Sequence, residues 1–183
     1  GANLKKANLA GADLSNAVID LAILRGANLR GAKLRDAKAF STILADADLS
    51  GADLSGAKLV CNLENAKLAG ARLAGIAAGA DMRNQSMGLM RLSLYNADLT
   101  NADLAGADLS WAMLEFAEFD NADLKGANLM MAQAGGADFS GADLTGANFT
   151  HVDIQSARFT GAKGIDAIVG LDSTLHRKSA WFD

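Results

Sequence analysis

An apolar side chain recurs at every fifth position from Leu4 onward: Leu9, Leu14, Ile19, Leu24, Leu29 and Leu34 follow in step. A small residue stands two places before each, as at Ala2, Ala7, Ala12, Ala17 and Ala22, and the residue between is usually Asn, Asp or Lys. This period fits neither regular element. An α-helix advances about 100° per residue, so a leucine at every fifth position drifts around the axis and buries no single face. A strand alternates faces, so an odd spacing throws successive leucines to opposite sides. The leucine stays on one side only if the chain bends within every unit. Gly11, Gly26, Gly31, Gly51, Gly56, Gly106, Gly126, Gly141 and Gly146 follow the apolar residue of their unit by two and supply the backbone freedom such a bend needs. The pattern predicts a winding chain with Leu and Ala inward and the other three positions outward.

Units such as Ala12-Asp13-Leu14-Ser15-Asn16, Ala52-Asp53-Leu54-Ser55-Gly56, Ala107-Asp108-Leu109-Ser110-Trp111 and Ala142-Asp143-Leu144-Thr145-Gly146 carry the pattern in full. They resemble the A(D/N)LXX signature of pentapeptide-repeat proteins, and the resemblance covers residues 1–163. It implies an all-β solenoid: a right-handed quadrilateral β-helix with four pentapeptides per coil. About 32 units make about eight coils. At about 4.8 Å per strand layer the rod is about 40 Å long. The resemblance implies a fold far more sharply than a function.

Composition agrees. The 183 residues include no proline, 50% are apolar and only 5% aromatic, so Ala and Leu must fill the interior. Repeats that contact only their neighbours share one continuous core, and a single domain without a linker is expected. The register slips twice by one residue, from Leu59 to Leu63 and from Ala78 to Met82, and regains its phase by Leu89. Residues 74–92 are therefore the irregular stretch, read either as a protruding recognition loop or as a tolerated surface insertion. After Lys163 the pattern ends. Residues 164–183 are expected to form a short helical cap, with Asp172, Ser173 and Thr174 offering N-cap oxygens. Ile168, Leu171, Leu175, Trp181 and Phe182 are expected to cover the last coil, because a solenoid end exposes core and an unpaired edge. A dimer contact through Trp181 and Phe182 is the alternative.

Several classes of chemistry find no support. No apolar run is long enough to span a bilayer, so no membrane insertion is expected. No signal peptide is visible. The chain is already in phase at Gly1, which suggests a trimmed N-terminus. A cytoplasmic location is favoured, with room for a targeting segment ahead of Gly1. Cys61 occupies the alanine position of Cys61-Asn62-Leu63 and reads as a core thiol. His151 and His176 have no sequence neighbour arranged as a nucleophile or metal ligand. Neither catalytic residues, metal nor cofactor is expected, and the period of five excludes the six-residue repeats of acyltransferase helices.

Charge is uneven along the chain. Residues 1–75 carry ten basic and seven acidic side chains, and residues 76–183 carry seven and fourteen. With twenty residues per coil, Asp81, Asp103, Asp123 and Asp143 are expected to stack in one column. Asp98, Glu118 and Asp138 stack on the adjoining face, and Asp120 belongs to the same acidic half. The resemblance implies one sharp use for such a face. Some pentapeptide-repeat proteins match B-DNA in width and charge, occupy the DNA site of type II topoisomerases and confer quinolone resistance. The plainer reading is a solvated face whose short side chains bond nearby backbone N–H groups. The plainer reading is preferred, because the N-terminal half carries Lys5, Lys6, Arg25, Arg30, Lys33, Arg35 and Lys38. Direct nucleic-acid binding has no basic stripe with stacking rings to support it.

A second outward feature is apolar. One corner column is expected to read Gly11, Gly31, Gly51 and Gly70 in the first half and Arg91, Trp111, Met131 and His151 in the second. Met90, Met113 and Met130 lie beside it. Trp, Met and Arg are enriched at protein interfaces. Phe40, Tyr95 and Phe116 look isolated. The sequence reads best as a non-enzymatic interaction scaffold or regulator, with a protein partner or self-association through the Trp111 column. A topoisomerase-directed DNA mimic is the second reading, and a rigid spacer of a larger protein the third.

Overall fold

The computed structural model describes residues 1–80 and 90–182. Regular strands are short and rare: β1, Lys38–Ile43, and β2, Lys58–Asn62, pair in parallel. Nearly all the remaining order consists of single-residue parallel bridges. Asn3 pairs with Ile23, Asn8 with Asn28, Asp13 with Lys33 and Val18 with Lys38. Partners twenty residues apart with four bridges between them define a four-sided winding, which places the chain among β-solenoids. The sides are numbered here by those four bridges in order. Side 1 runs upward through Asn3, Ile23, Ile43, Asn62, Ser93, Met113, Gln133, Asp153 and Leu175.

The local cause is the five-residue unit. The residue before the leucine bridges, and the leucine N–H donates to the layer above, as from Leu4 to the Ile23 carbonyl at 2.8 Å. A two-residue corner follows, closed by a bond such as Ala7 N–H to the Leu4 carbonyl at 3.0 Å. The second corner residue turns left-handed, with φ of 65° at Gly51. Because the chain turns so soon, bridges cannot grow into ladders, and the leucine and alanine both stay inside.

The core is a column of Leu over Leu and Ala over Ala. Leu49, Leu99, Leu104 and Leu109 are fully buried. Each such leucine contributes about 1.5–3 kcal/mol. Leu4 is 36% exposed and Leu9, Leu14 and Ile19 only partly buried, so the first layer is the least covered. Toward the other end phenylalanine replaces leucine on side 2. Phe119 stacks on Phe139 with centroids 4.9 Å apart, and Phe139 on Phe159 at 5.1 Å.

The step from Leu59 to Leu63 shortens one corner. The chain there runs extended as β2, and β1 beneath it shifts register between Phe40 and Ile43. The second slip, at Met82, falls outside the described residues. The irregular stretch sets a longer interval: Asn62 pairs with Ser93, and Lys67 with Asp98.

Beyond Lys163 the winding continues in six-residue steps. Val169 pairs with Asn148, Leu175 with Asp153 and Trp181 with Arg158. The extra residue enters through single 3-10 turns at Ile165–Ala167, Leu171–Ser173 and Arg177–Ser179, each entered from a left-handed residue: Gly164, Gly170 and His176. Ile168 is buried, and Leu171 and Phe182 pack partly against the core. Leu175 and Trp181 do not cover it, contrary to the sequence expectation. They are 49% and 68% exposed, because they fall at the bridging position, whose side chain points away from the interior.

Candidate interaction surfaces

The four corners differ in what stands at their left-handed position. Between sides 2 and 3 it is always glycine or asparagine: Gly11, Gly31, Gly51, Gly70, Asn101, Asn121, Gly141 and Gly161 all have positive φ. These residues tolerate that backbone. The diagonally opposite corner, between sides 4 and 1, carries Leu21 (φ 59°), Ser41 (52°), Trp111 (64°), Met131 (62°) and His151 (56°). A bulky side chain there costs about 1–2 kcal/mol.

This corrects the expected single column. Gly70 and Trp111 belong to opposite corners, because Asn62 and Ser93 are thirty-one residues apart rather than twenty. The eleven extra residues all fall between Ala77 on side 4 and Ser93 on side 1, so counting in twenties across the irregular stretch is out by about two units beyond it.

The residues of the expected apolar patch nevertheless gather around one corner and the side beside it. Met130 precedes Met131 in the corner, and both are 36% exposed. Trp111 is half-buried. The His151 N–H donates to Ser173 Oγ at 3.2 Å. On side 1, Met90, Arg91 and Met113 line a groove of about 440 Å³ together with Ser41, Val60 and Glu64. The Ser41 hydroxyl donates to Met90 Sδ at 3.7 Å.

The side 2 acidic column is the one the sequence implies, the side 3 column is one residue shorter, and cations close both ends of each. Side 2 reads Lys67, Asp98, Glu118, Asp138, Arg158, and side 3 reads Arg72, Asp103, Asp123, Asp143, Lys163. Arg72, not Asp81, lies beneath Asp103; Asp81 itself lies outside the described residues. Arg158 Nη1 reaches Asp138 Oδ2 at 2.8 Å, and Lys125 Nζ bridges Asp123 and Asp143 at 3.0 Å each. The aspartates also serve the fold. Asp98 Oδ1 accepts the Thr100 N–H at 3.0 Å, and Asp123 Oδ1 accepts the Lys125 N–H at 3.0 Å. The Thr145 hydroxyl, and after it the Lys125 ammonium, hold the Asp143 carboxyl down at about 2. Asp120, in the corner between the two columns, is pushed up by burial and then by Asp138.

The arginines of the N-terminal half are likewise paired. Arg25 meets Asp46 at 2.9 Å, Arg30 meets Asp48 at 3.2 Å, and Arg35 and Arg72 share Asp53. Cys61 is buried, and burial pushes its thiol up to about 12, which leaves it unreactive.

Two aromatics that look isolated in the sequence meet between sides 1 and 2. Tyr95 and Phe116 pack edge to face with centroids 5.6 Å apart. The Phe116 ring lies over Gly136, where an added Cβ would stand 2.7 Å from it. The signal was present: Gly136 stands twenty residues after Phe116, and Gly135 before it leaves a second outward position without a side chain.

Among the described residues no group of three or more His, Cys, Asp or Glu is placed to hold a metal ion. None of the described helices is long and apolar enough to cross a membrane.

The same architecture is found in known proteins. The pattern described as Pentapeptide repeats matches eight copies, over residues 1–36, 32–60, 93–129 and 132–163. The chain belongs to the pentapeptide-repeat family. Among solved structures it is similar to HetL, a pentapeptide repeat protein involved in heterocyst differentiation regulation from the cyanobacterium Nostoc sp. strain PCC 7120. Identity is 30%, over 99% of this chain and 92% of that one, with a TM-score of 0.53. It is also similar to QnrB1, a plasmid-mediated fluoroquinolone resistance protein, at 24% identity over 82% of this chain and 78% of that one, with a TM-score of 0.68. The second likeness concerns the fold alone. No curated protein sequence matches the chain.

Proposed function

We propose that this chain is a non-enzymatic interaction scaffold or regulator, a right-handed quadrilateral β-helix whose C-terminal segment caps the rod. In this reading a protein partner docks on the corner between sides 4 and 1. One observation carries it: Trp111, Met131 and His151 occupy left-handed positions that glycine or asparagine fills on the opposite corner. Strain of that kind persists where the side chain has a use. Met130 beside them and Met90 and Met113 in the neighbouring groove extend the apolar surface, and Trp and Met are favoured at interfaces. HetL, a member of the same family, is described as involved in heterocyst differentiation regulation. The test is affinity capture from an extract of the source cells. Wild type is compared with the double variant Trp111→Ala/Met131→Ala and with a control pair on the opposite corner, Ser140→Ala/Thr160→Ala. Loss of a partner, or of self-association, only in the first variant supports the reading; identical capture by all three removes it.

A second reading rests on the paired acidic columns of sides 2 and 3 with Asp120 between them. It makes the acidic half a DNA mimic directed at a type II topoisomerase. The cations at both ends and the bonds that tie each aspartate of the two columns to its own turn argue against it. A gyrase supercoiling assay with and without a quinolone decides: no effect at high protein excess excludes the mimic.

A further inference from the structure

A second groove, of about 410 Å³, opens where side 1 meets side 2, and its lining includes Glu115, Phe116, Gln133, Gly135, Gly136 and Asp153. Three features of it are unlike the rest of the rod. Glu115 Oε2 is buried there without a hydrogen-bond partner, the one such side-chain atom among the described residues. A buried carboxylate oxygen left unpaired is costly and asks for a donor. The Phe116 ring beside it is 54% exposed and held from behind by Tyr95, 41% exposed, at 5.6 Å. Phe116 keeps that place with φ at 60°, where most other corners use Gly or Asn. Finally, Gly135 and Gly136 bring no side chain into the space. At Gly136 a Cβ would collide with Phe116 at 2.7 Å, while at Gly135 the nearest atom is 3.7 Å away.

The contents of the groove are therefore an aromatic face, the Glu115 carboxylate, the Asp153 carboxylate, whose Oδ1 is already engaged by the Gln155 N–H and His176 Nδ1, and the amide of Gln133, with no Lys or Arg among the lining residues. That set fits a flat, positively charged group. A guanidinium stacks on an aromatic face, is weakly hydrated and presents several donors in one plane to a carboxylate. An ammonium is compact and strongly hydrated and would forgo the stacking. We propose that this groove receives the arginine side chain of a partner polypeptide, stacked on Phe116 and bonded to Glu115. The groove lies on a different corner from Trp111, so this site and the Trp111 surface stand or fall separately.

The test uses small probes and the whole chain. N-acetyl-arginine methylamide is titrated into 15N-labelled protein while the Gly135 and Gly136 amide signals are followed. The same is done with the neutral isostere N-acetyl-citrulline methylamide and with N-acetyl-lysine methylamide. The arginine probe is expected to give saturable shifts at those glycines, with citrulline and lysine at least about tenfold weaker. Glu115→Gln should lose the response to arginine while Glu118→Gln, on side 2, keeps it. Equal binding of citrulline or lysine, or no saturable shift with arginine, overturns the proposal. The comparison of probes on the unaltered chain decides even if Glu115→Gln does not fold.

Discussion

The ring of Phe182 lies flat on that of Phe159, with centroids 4.6 Å apart and planes 5° from parallel. It is the last rung of the ladder Phe119, Phe139, Phe159 inside side 2. The neighbouring Trp181 points outward although it is the larger aromatic. Position in the unit, not size, decides which side chain closes the core. Phe182→Ala should therefore lower stability by roughly 1–3 kcal/mol, through lost burial and stacking. Trp181→Ala should stay within about 0.5 kcal/mol. Urea unfolding midpoints at constant slope measure both.

In the middle of the rod the interior has no freedom to adjust. Leu104 is fully buried, with alanines at neighbouring inward positions such as Ala102 and Ala107. Leu104→Ala is expected to cost about 2–5 kcal/mol, toward the upper end if the stacked layers cannot collapse into the void. Leu4→Ala, at a position 36% exposed, should cost clearly less. Chemical denaturation of the two variants side by side reads the difference.

Gly51 isolates the cost of the corner backbone. Its φ is 65°, and an added Cβ would meet nothing within 4 Å. Gly51→Ala therefore introduces backbone strain without a clash and should destabilise by about 1 kcal/mol. A thermal or urea scan that finds Gly51→Ala neutral would show that these corners do not discriminate against a side chain, and would remove the reason for singling out Trp111 and Met131.

The acidic half predicts two opposite responses to pH. Asp143 is held down at about 2, against an ordinary 3.8, by Thr145 first and Lys125 next. Its stabilising contribution is complete above about pH 3.8 and is lost as pH falls toward 2. Asp143→Asn should flatten that part of the acid-unfolding curve. Asp120 is shifted the other way, by burial and then by Asp138. A raised carboxyl favours the fold only while protonated, and that contribution disappears as pH rises through its folded value. Asp120→Asn should therefore raise the melting temperature at pH 7 and lose that advantage in acid. Melting curves across pH 2–7 check both signs.

Much of this molecule could be read from its sequence, and the failures have physical causes. The inward positions follow directly from the spacing of Leu and Ala, because a five-residue unit leaves no other way to bury them. The corner glycines of the first half follow too. Within the second half the count in twenties also holds, since Asp98, Glu118 and Asp138 stack, as do Asp103, Asp123 and Asp143; what fails is the join between the halves, because the interval from Asn62 to Ser93 cannot be counted from the pattern. Counting through the irregular stretch thus puts Trp111 on the corner of Gly70, when it stands diagonally across. Within residues 74–92, read as a protruding loop or a tolerated insertion, residues 81–89 lie outside the described residues. The outward aim of Leu175 and Trp181 was hidden by the change to six-residue steps, which preserves bridging but shifts the phase. The Glu115–Phe116 groove escaped for another reason. It needs three layers to form, and only the paired glycines Gly135-Gly136 mark it.

The central claim is that the corner between sides 4 and 1 keeps bulky side chains in left-handed positions for the sake of a partner. The most direct measurement is the double variant Trp111→Gly/Met131→Gly, followed in one preparation for stability and for capture of the partner bound by the unaltered chain. Relief of backbone strain should offset the lost side-chain packing, leaving stability within about 1 kcal/mol of wild type or above it, while capture is abolished. A variant that loses several kcal/mol yet still captures the partner would contradict the account, because those side chains would then be packing for the rod itself.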